Sequence, residues 1–138
     1  MSEHRWFQHR IRVRYQETDQ MGVVYHANYL NWFEIGRTEL IRELELSYKG
    51  IESSGLLLPV VEAELKFKQP ARYDDLIAIY TRIQSCTGIR LEFACEIRRE
   101  GELLVSGVTR HVWVNPSWRP VRIDKEAPDL YQLLLKGG

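Results

Sequence analysis

The chain has 138 residues, and 19 Lys plus Arg balance 19 Asp plus Glu, so its formal net charge is zero. That length suits one domain over residues 1–138 with a real core, and the charge balance speaks against a nucleic-acid partner, which would ask for a basic excess. No apolar run approaches the roughly 20 residues of a membrane span, and the polar opening MSEHRWFQHR lacks the apolar segment of a secretory leader.

In chain order, Arg10 to Tyr15 alternates, with Ile11, Val13 and Tyr15 on one face and Arg10, Arg12 and Arg14 on the other, which predicts a half-buried strand. From Ala27 to Leu44 the positions Leu30, Phe33, Leu40, Ile41 and Leu44 recur at three- and four-residue steps, and Tyr29 and Trp32 widen the stripe. This is a helix covered over much of its circumference. Gly36 inside it costs about 1 kcal/mol against alanine, so the helix backbone is expected to lie close to another element there.

Strand patterns follow. Val61, Ala63, Leu65 and Phe67 alternate with Glu62, Glu64, Lys66 and Lys68, and Ile77 to Ile83 is a strand with little polarity on either side. Ile89, Leu91, Phe93, Cys95 and Ile97 alternate with charged neighbours, and Leu103 to Val114 is the last strand. Short turns at Ser85–Gly88 and Glu100–Gly101 make these last three an antiparallel meander. Gln69 to Asp75 is the longer connection, and Asp124 is placed to cap a short helix ending before Gly137. One strand, a long helix and four further strands predict an α+β fold with the helix on one sheet. The succession Leu76, Ile77, Ile79, Tyr80 leaves apolar surface on the second sheet face for a dimer to cover.

No serine-hydrolase elbow, zinc-protease, phosphate-loop or dinucleotide motif is present. His4, His9, His26 and His111 are scattered, so no metal site is expected. Cys86 and Cys95 have no metal-ligand spacing and suit buried free thiols in a reducing cytoplasm. Chemistry concentrates in ETDQMGVVYHANYLNWFEIGRTEL, residues 17–40. Asp19 is either a turn former or a general base among aromatic neighbours. Gly22 permits a positive φ or a close approach to a ligand. His26 is either a polar residue at the helix start or a catalytic imidazole, and the helix N-terminus there offers unpaired N–H groups that can stabilise an oxyanion. On chemistry alone Tyr15 belongs to the core, Glu17 is solvated, and Tyr29, Trp32 and Phe33 are core.

The string Y-Q-E-T-D-Q-M-G-V-V-Y-H-A-N-Y from Tyr15 to Tyr29 resembles the signature of the hotdog-fold acyl-CoA thioesterases of the 4-hydroxybenzoyl-CoA thioesterase family. The resemblance extends over about residues 8 to 125. It implies a five-stranded antiparallel sheet wrapped around one long helix, hydrolysis of an acyl-CoA thioester without metal or cofactor, and a homodimer or homotetramer with shared sites. It places Asp19 at the catalytic carboxylate position, as nucleophile or as general base on water. His26 stands where a backbone N–H and an imidazole act on the thioester carbonyl, and Tyr15 has a supporting role. Lys68, Arg72 and Arg90 are the candidates for the CoA phosphates. Where many relatives have glycine before an aspartate, this chain has Asp74-Asp75, so the turn there is expected to differ. The alternatives are a hotdog enoyl-CoA hydratase, whose histidine–carboxylate motif is not found, and a non-catalytic acyl-CoA-binding module, which has little reason to keep Asp19 and His26.

Overall fold

The computed structural model describes residues 5–137, so His4 lies outside the described residues. Five strands, β1 (Phe7–Arg12), β2 (Val60–Phe67), β3 (Leu76–Cys86), β4 (Arg90–Arg99) and β5 (Glu102–Val112), form one antiparallel sheet in the order β1-β3-β4-β5-β2. The long helix α1 (Asn28–Glu43) lies against β3 and its neighbours, a short α2 (Tyr48–Ser53) follows it, and α3 (Ile123–Glu126) and α4 (Pro128–Lys136) end the chain. This is the hotdog arrangement, and β3-β4-β5 is the expected meander. No helix among the described residues is long and apolar enough to cross a membrane.

The period-two pattern decides what faces the helix. Ile77, Ile79, Thr81 and Ile83 of β3 and Leu91, Phe93, Cys95 and Ile97 of β4 are buried in alternation. Against them α1 buries Tyr29, Trp32, Phe33, Leu40 and Ile41. Leu30, expected in that stripe, is exposed. The 3.6-residue turn carries it to the far side once Trp32 and Phe33 take the sheet face. Gly36 behaves as its spacing implied: a Cβ there would stand 2.2 Å from Thr81 Oγ1 and 2.7 Å from Ile79 Cγ2.

Four expectations are corrected. The first strand stops at Arg12, and Tyr15 lies in a single 3-10 turn, Tyr15–Glu17, with 78 % of its surface exposed. The second sheet face is charged rather than apolar: Arg98 pairs with Glu96 at 2.8 Å, and Arg110 pairs with Glu62 at 3.0 Å and also with Glu64 and Glu92. Ile77 and Ile79 both turn to the helix, and Tyr80 packs edge-on to Trp6. Asp124 caps nothing, because it sits inside α3 and its carboxylate pairs with Arg122 at 2.9 Å. The apolar surface left uncovered belongs to β2, where Val60, Val61 and Phe67 are exposed. That strand pairs only with β5, so its other edge carries unpaired backbone groups.

Asp74 has φ 69°, in the left-handed region where a glycine costs least. The turn therefore takes a glycine-like backbone although the residue is aspartate. Cys86 and Cys95 are free thiols, half-buried and buried respectively, and burial pushes them up to about 11 and about 12.

A buried polar chain crosses the core between α1 and β5. Arg37, 8 % exposed, donates from Nη1 to Thr109 Oγ1 at 3.4 Å, and Thr109 Oγ1 lies 2.9 Å from His111 Nε2. His111 Nδ1 faces the Leu58 carbonyl at 3.3 Å. A carbonyl only accepts, so Nδ1 carries the proton and Nε2 accepts from the threonine hydroxyl. The ring is therefore held neutral. Burial, reinforced by the nearby Arg37 charge, lowers its pKa to about 4.

Candidate active site

The segment between β1 and α1 folds into an arm. Thr18 and Val24 form a bridge, Asp19 N–H donates to Val23 O at 2.9 Å, and Gly22 N–H donates to Asp19 O at 3.0 Å. Gly22 closes this turn with φ 79°, which its sequence context anticipated. Val24 N–H then donates to Ala71 O at 2.9 Å, tying the arm to the connection before β3. Ala71 N–H in turn donates to the Tyr29 hydroxyl at 3.0 Å, so α1, arm and connection are locked together.

Asp19 forms the turn that one of its sequence readings expected. Its Oδ1 accepts from Met21 N–H at 2.9 Å, an Asx turn that holds the tip of the arm. Among the described residues no partner takes its second carboxylate oxygen. The residue lines a cleft of about 260 Å³ whose other walls include His26, Tyr29, Phe67, Lys68 and Gln69. Tyr29 and Phe67 rings stand 5.7 Å apart at its base, and burial raises the Tyr29 phenol above its ordinary range, so it stays protonated.

The N-terminus of α1 enters the same cleft. Ala27 at the N-cap supplies no capping side chain. Asn28 N–H donates to Tyr25 O, Tyr29 N–H to His26 O and Leu30 N–H to Ala27 O. Among the described residues, the N–H groups of His26 and Ala27 donate to nothing. Two unpaired amides thus remain at the positive end of a sixteen-residue helix. The His26 imidazole is exposed, tilted against Tyr25 at 4.5 Å and edge-on to Phe67 at 6.5 Å. Asp19 and His26 are both walls of this cleft, and a carboxylate oxygen, an imidazole and the unpaired amide of residue 26 can assist addition to a polarised carbonyl.

Residues 13–130 match the family model of the thioesterase-like superfamily. The chain belongs to this superfamily. It is 40 % identical over 121 residues to YneP of Bacillus subtilis, a candidate acyl-CoA thioesterase, covering 86 % of this chain and 88 % of that one. It is 35 % identical over 111 residues to the acyl-CoA thioester hydrolase YbgC of Escherichia coli, covering 80 % and 83 %. The structure of a DHNA-CoA thioesterase from Staphylococcus aureus superposes with a TM-score of 0.91 at 32 % identity, over 95 % of this chain and 89 % of that one.

Within this thioesterase-like chain the remaining expected site residues separate. Tyr15 reaches Asp19 from the other side: with Thr18, Gly22 and Tyr73 it lines a neighbouring groove that Asp19 also borders, its ring edge-on to Tyr73 at 5.8 Å. It shares no wall with His26. Lys68 lines the cleft itself. Arg72 is exposed on the adjoining connection, where its N–H donates to Asp75 Oδ2 at 2.8 Å. Arg90 stands elsewhere. It pairs with Val112, at the far end of β4 from Ile97, whose row runs through Val105 to Phe67. Strand rise puts about 20 Å between the two, so Arg90 is not a wall of this chain's own cleft.

Two contributors were read as core or as solvent. Tyr29 is buried like core, yet its hydroxyl side meets the cleft and the Ala71 amide. Glu17, expected to be solvated, is only 8 % exposed and accepts from the Trp32 indole N–H at 2.8 Å. One signal pointed to it: a buried tryptophan needs an acceptor for its N–H. A larger groove of about 440 Å³ is lined by Arg10, Arg12, Arg98 and Arg99 together with Leu76 and Tyr80, and among the described residues no helix N-terminus meets it.

Proposed function

We propose that the protein hydrolyses the thioester of an acyl-CoA to the free acid and CoA, with Asp19 and the N-terminus of α1 as the working groups. The observation that carries this reading is the convergence of an unpartnered Asp19 oxygen with the unpaired His26 amide on one cleft. The thioester carbonyl oxygen takes the position in front of the His26 and Ala27 amides, where negative charge developing on it is stabilised. The free oxygen of Asp19 takes a proton from water attacking the carbonyl carbon and returns it to the departing CoA sulfur, or attacks that carbon itself, giving an acyl–aspartyl anhydride that water then hydrolyses to the free acid while the thiolate takes a proton from solvent. On either route the carbon–sulfur bond breaks and the CoA thiol leaves. The apolar walls Val23, Val24, Tyr29 and Phe67 receive the acyl group. Lys68, a wall of the cleft, and the exposed Arg72 on the adjoining connection are the proposed partners of the CoA phosphates.

The reading extends to assembly and location. The uncovered inner face and free edge of β2 support a homodimer that pairs the two β2 strands, with a dimer of dimers as the next order. In such a dimer Arg90 has a route to the site only from the partner subunit. The free thiols Cys86 and Cys95 support a reducing cytoplasm. The test is release of free thiol from aliphatic and aromatic acyl-CoAs of graded size. Turnover of one size class is the expected result, and absence of thiol release across the whole series would sink the proposal.

A further inference from the structure

Among the described residues Glu17 is the one buried acid. Burying a carboxylate is costly unless its lone pairs are filled, and here they are filled from two elements. Oε2 accepts from Trp32 Nε1 of α1 at 2.8 Å, and Oε1 accepts from Arg14 N–H at 2.8 Å, with the exposed Arg14 Nε at 3.6 Å. The carbonyl of the same residue accepts from Tyr25 N–H and from Asn28 Nδ2, both at 2.9 Å. Glu17 therefore holds both roots of the loop that carries Asp19 at its tip and the free His26 and Ala27 amides at its end. The side chain presents one oxygen to each donor, Oε2 to the indole and Oε1 to the Arg14 amide, whereas a carboxamide in its place has one oxygen and an N–H₂ donor.

We propose that Glu17 is a positioning residue: its carboxylate clamps the Asp19 arm to the second turn of α1 and so sets the separation between the Asp19 oxygen and the oxyanion donors. This rests on the thioesterase reading above. Glu17 touches no wall of the cleft, so it acts on turnover through the arm. Catalytic groups must be held to within about 0.5 Å, and a displacement of about 1 Å costs on the order of a hundredfold.

Glu17→Gln tests the clamp, because its amide turns an N–H₂ toward one of the two donors. Thiol release, acyl-CoA binding and thermal unfolding are measured at a temperature where the variant is fully folded, and the Trp32 indole N–H is followed by NMR. The expected result is a fall of tenfold or more in kcat, a KM within twofold of wild type and a displaced indole resonance. A folded Glu17→Gln protein with wild-type kcat, or with a change confined to KM, overturns the proposal. Should Glu17→Gln not fold, Trp32→Phe removes the indole donor and keeps an aromatic ring. A severalfold fall in kcat at unchanged KM then supports the clamp, and an unchanged kcat overturns it. Asp19→Asn, run in parallel, separates the two ideas. If Asp19→Asn is impaired while the Glu17 and Trp32 variants are not, only the clamp falls; if Asp19→Asn turns over normally, the mechanism fails and the clamp with it.

Discussion

Asp19 uses one oxygen to build the arm and leaves the other over the cleft. This division makes Asp19→Asn informative, since the amide oxygen can still accept from Met21 N–H and keep the turn. The expected outcome is an unchanged thermal unfolding curve, retained acyl-CoA binding and a loss of about 10²–10⁴ in thiol release. A wild-type rate would make Asp19 a turn residue only. Position 26 separates backbone from side chain in the same way. His26→Ala keeps the free amide and loses only what the imidazole adds. His26→Pro removes an N–H that bonds to nothing in the folded protein, so no existing hydrogen bond is lost. Position 26 stands one residue before the N-cap Ala27, outside the helical ladder, so a proline there removes no helix hydrogen bond. One lost oxyanion donor costs about 2.7–4 kcal/mol, so His26→Pro should be slower than His26→Ala by up to about 10²–10³. Equal rates from two folded variants would show that this amide does not polarise the carbonyl.

The contact between α1 and the sheet combines apolar packing with the buried Arg37–Thr109–His111 chain. Its pH dependence follows from the direction of the His111 shift. The folded ring protonates only near pH 4, whereas the unfolded ring takes up its proton near 6.5. Above 6.5 both states are neutral and His111 adds no slope. As pH falls from 6.5 toward 4 the unfolded state binds the extra proton, so stability drops, by about 3 kcal/mol in full. Urea unfolding should therefore lose about 1.2 kcal/mol between pH 6 and 5. That slope should be absent from a His111→Gln variant. A wild-type curve flat over this window would mean that the ring takes up protons alike in both states.

For the whole molecule, the decisive surface is β2. It exposes Val60 and Val61 at one end and Phe67, itself a cleft wall, at the other. Strand edges of this kind invite pairing with another chain. The wild-type protein is expected to sediment as a dimer or tetramer at micromolar concentration, and Val61→Glu to shift it toward monomer with reduced turnover. A compact wild-type monomer that turns over normally would remove the shared-site arrangement.

Local pattern was enough for an α+β fold with one long helix on one antiparallel sheet, and the resemblance of the Tyr15–Tyr29 string made that fold a hotdog. Alternation in β3, β4 and β5 and the three- and four-residue spacing of α1 are properties of neighbouring residues, and they carried the element order and the meander. Gly36 declared a close approach because an interior helix glycine has a cost that only packing offsets. The candidate site was legible as a string, since Asp19, Gly22 and His26 lie within one arm and its helix. What the string left undecided depended on distant partners. Glu17 is buried because Trp32 lies beside it, and Tyr29 meets the cleft because Ala71 crosses it. Tyr15 is turned to solvent because β1 ends early, and Arg90 is carried to the opposite end of β4 by the register with β5. Sequence periodicity fixes which face of an element is apolar, but burial of a polar group is settled by whichever remote donor fills its lone pairs, and only the tertiary structure brings that donor there.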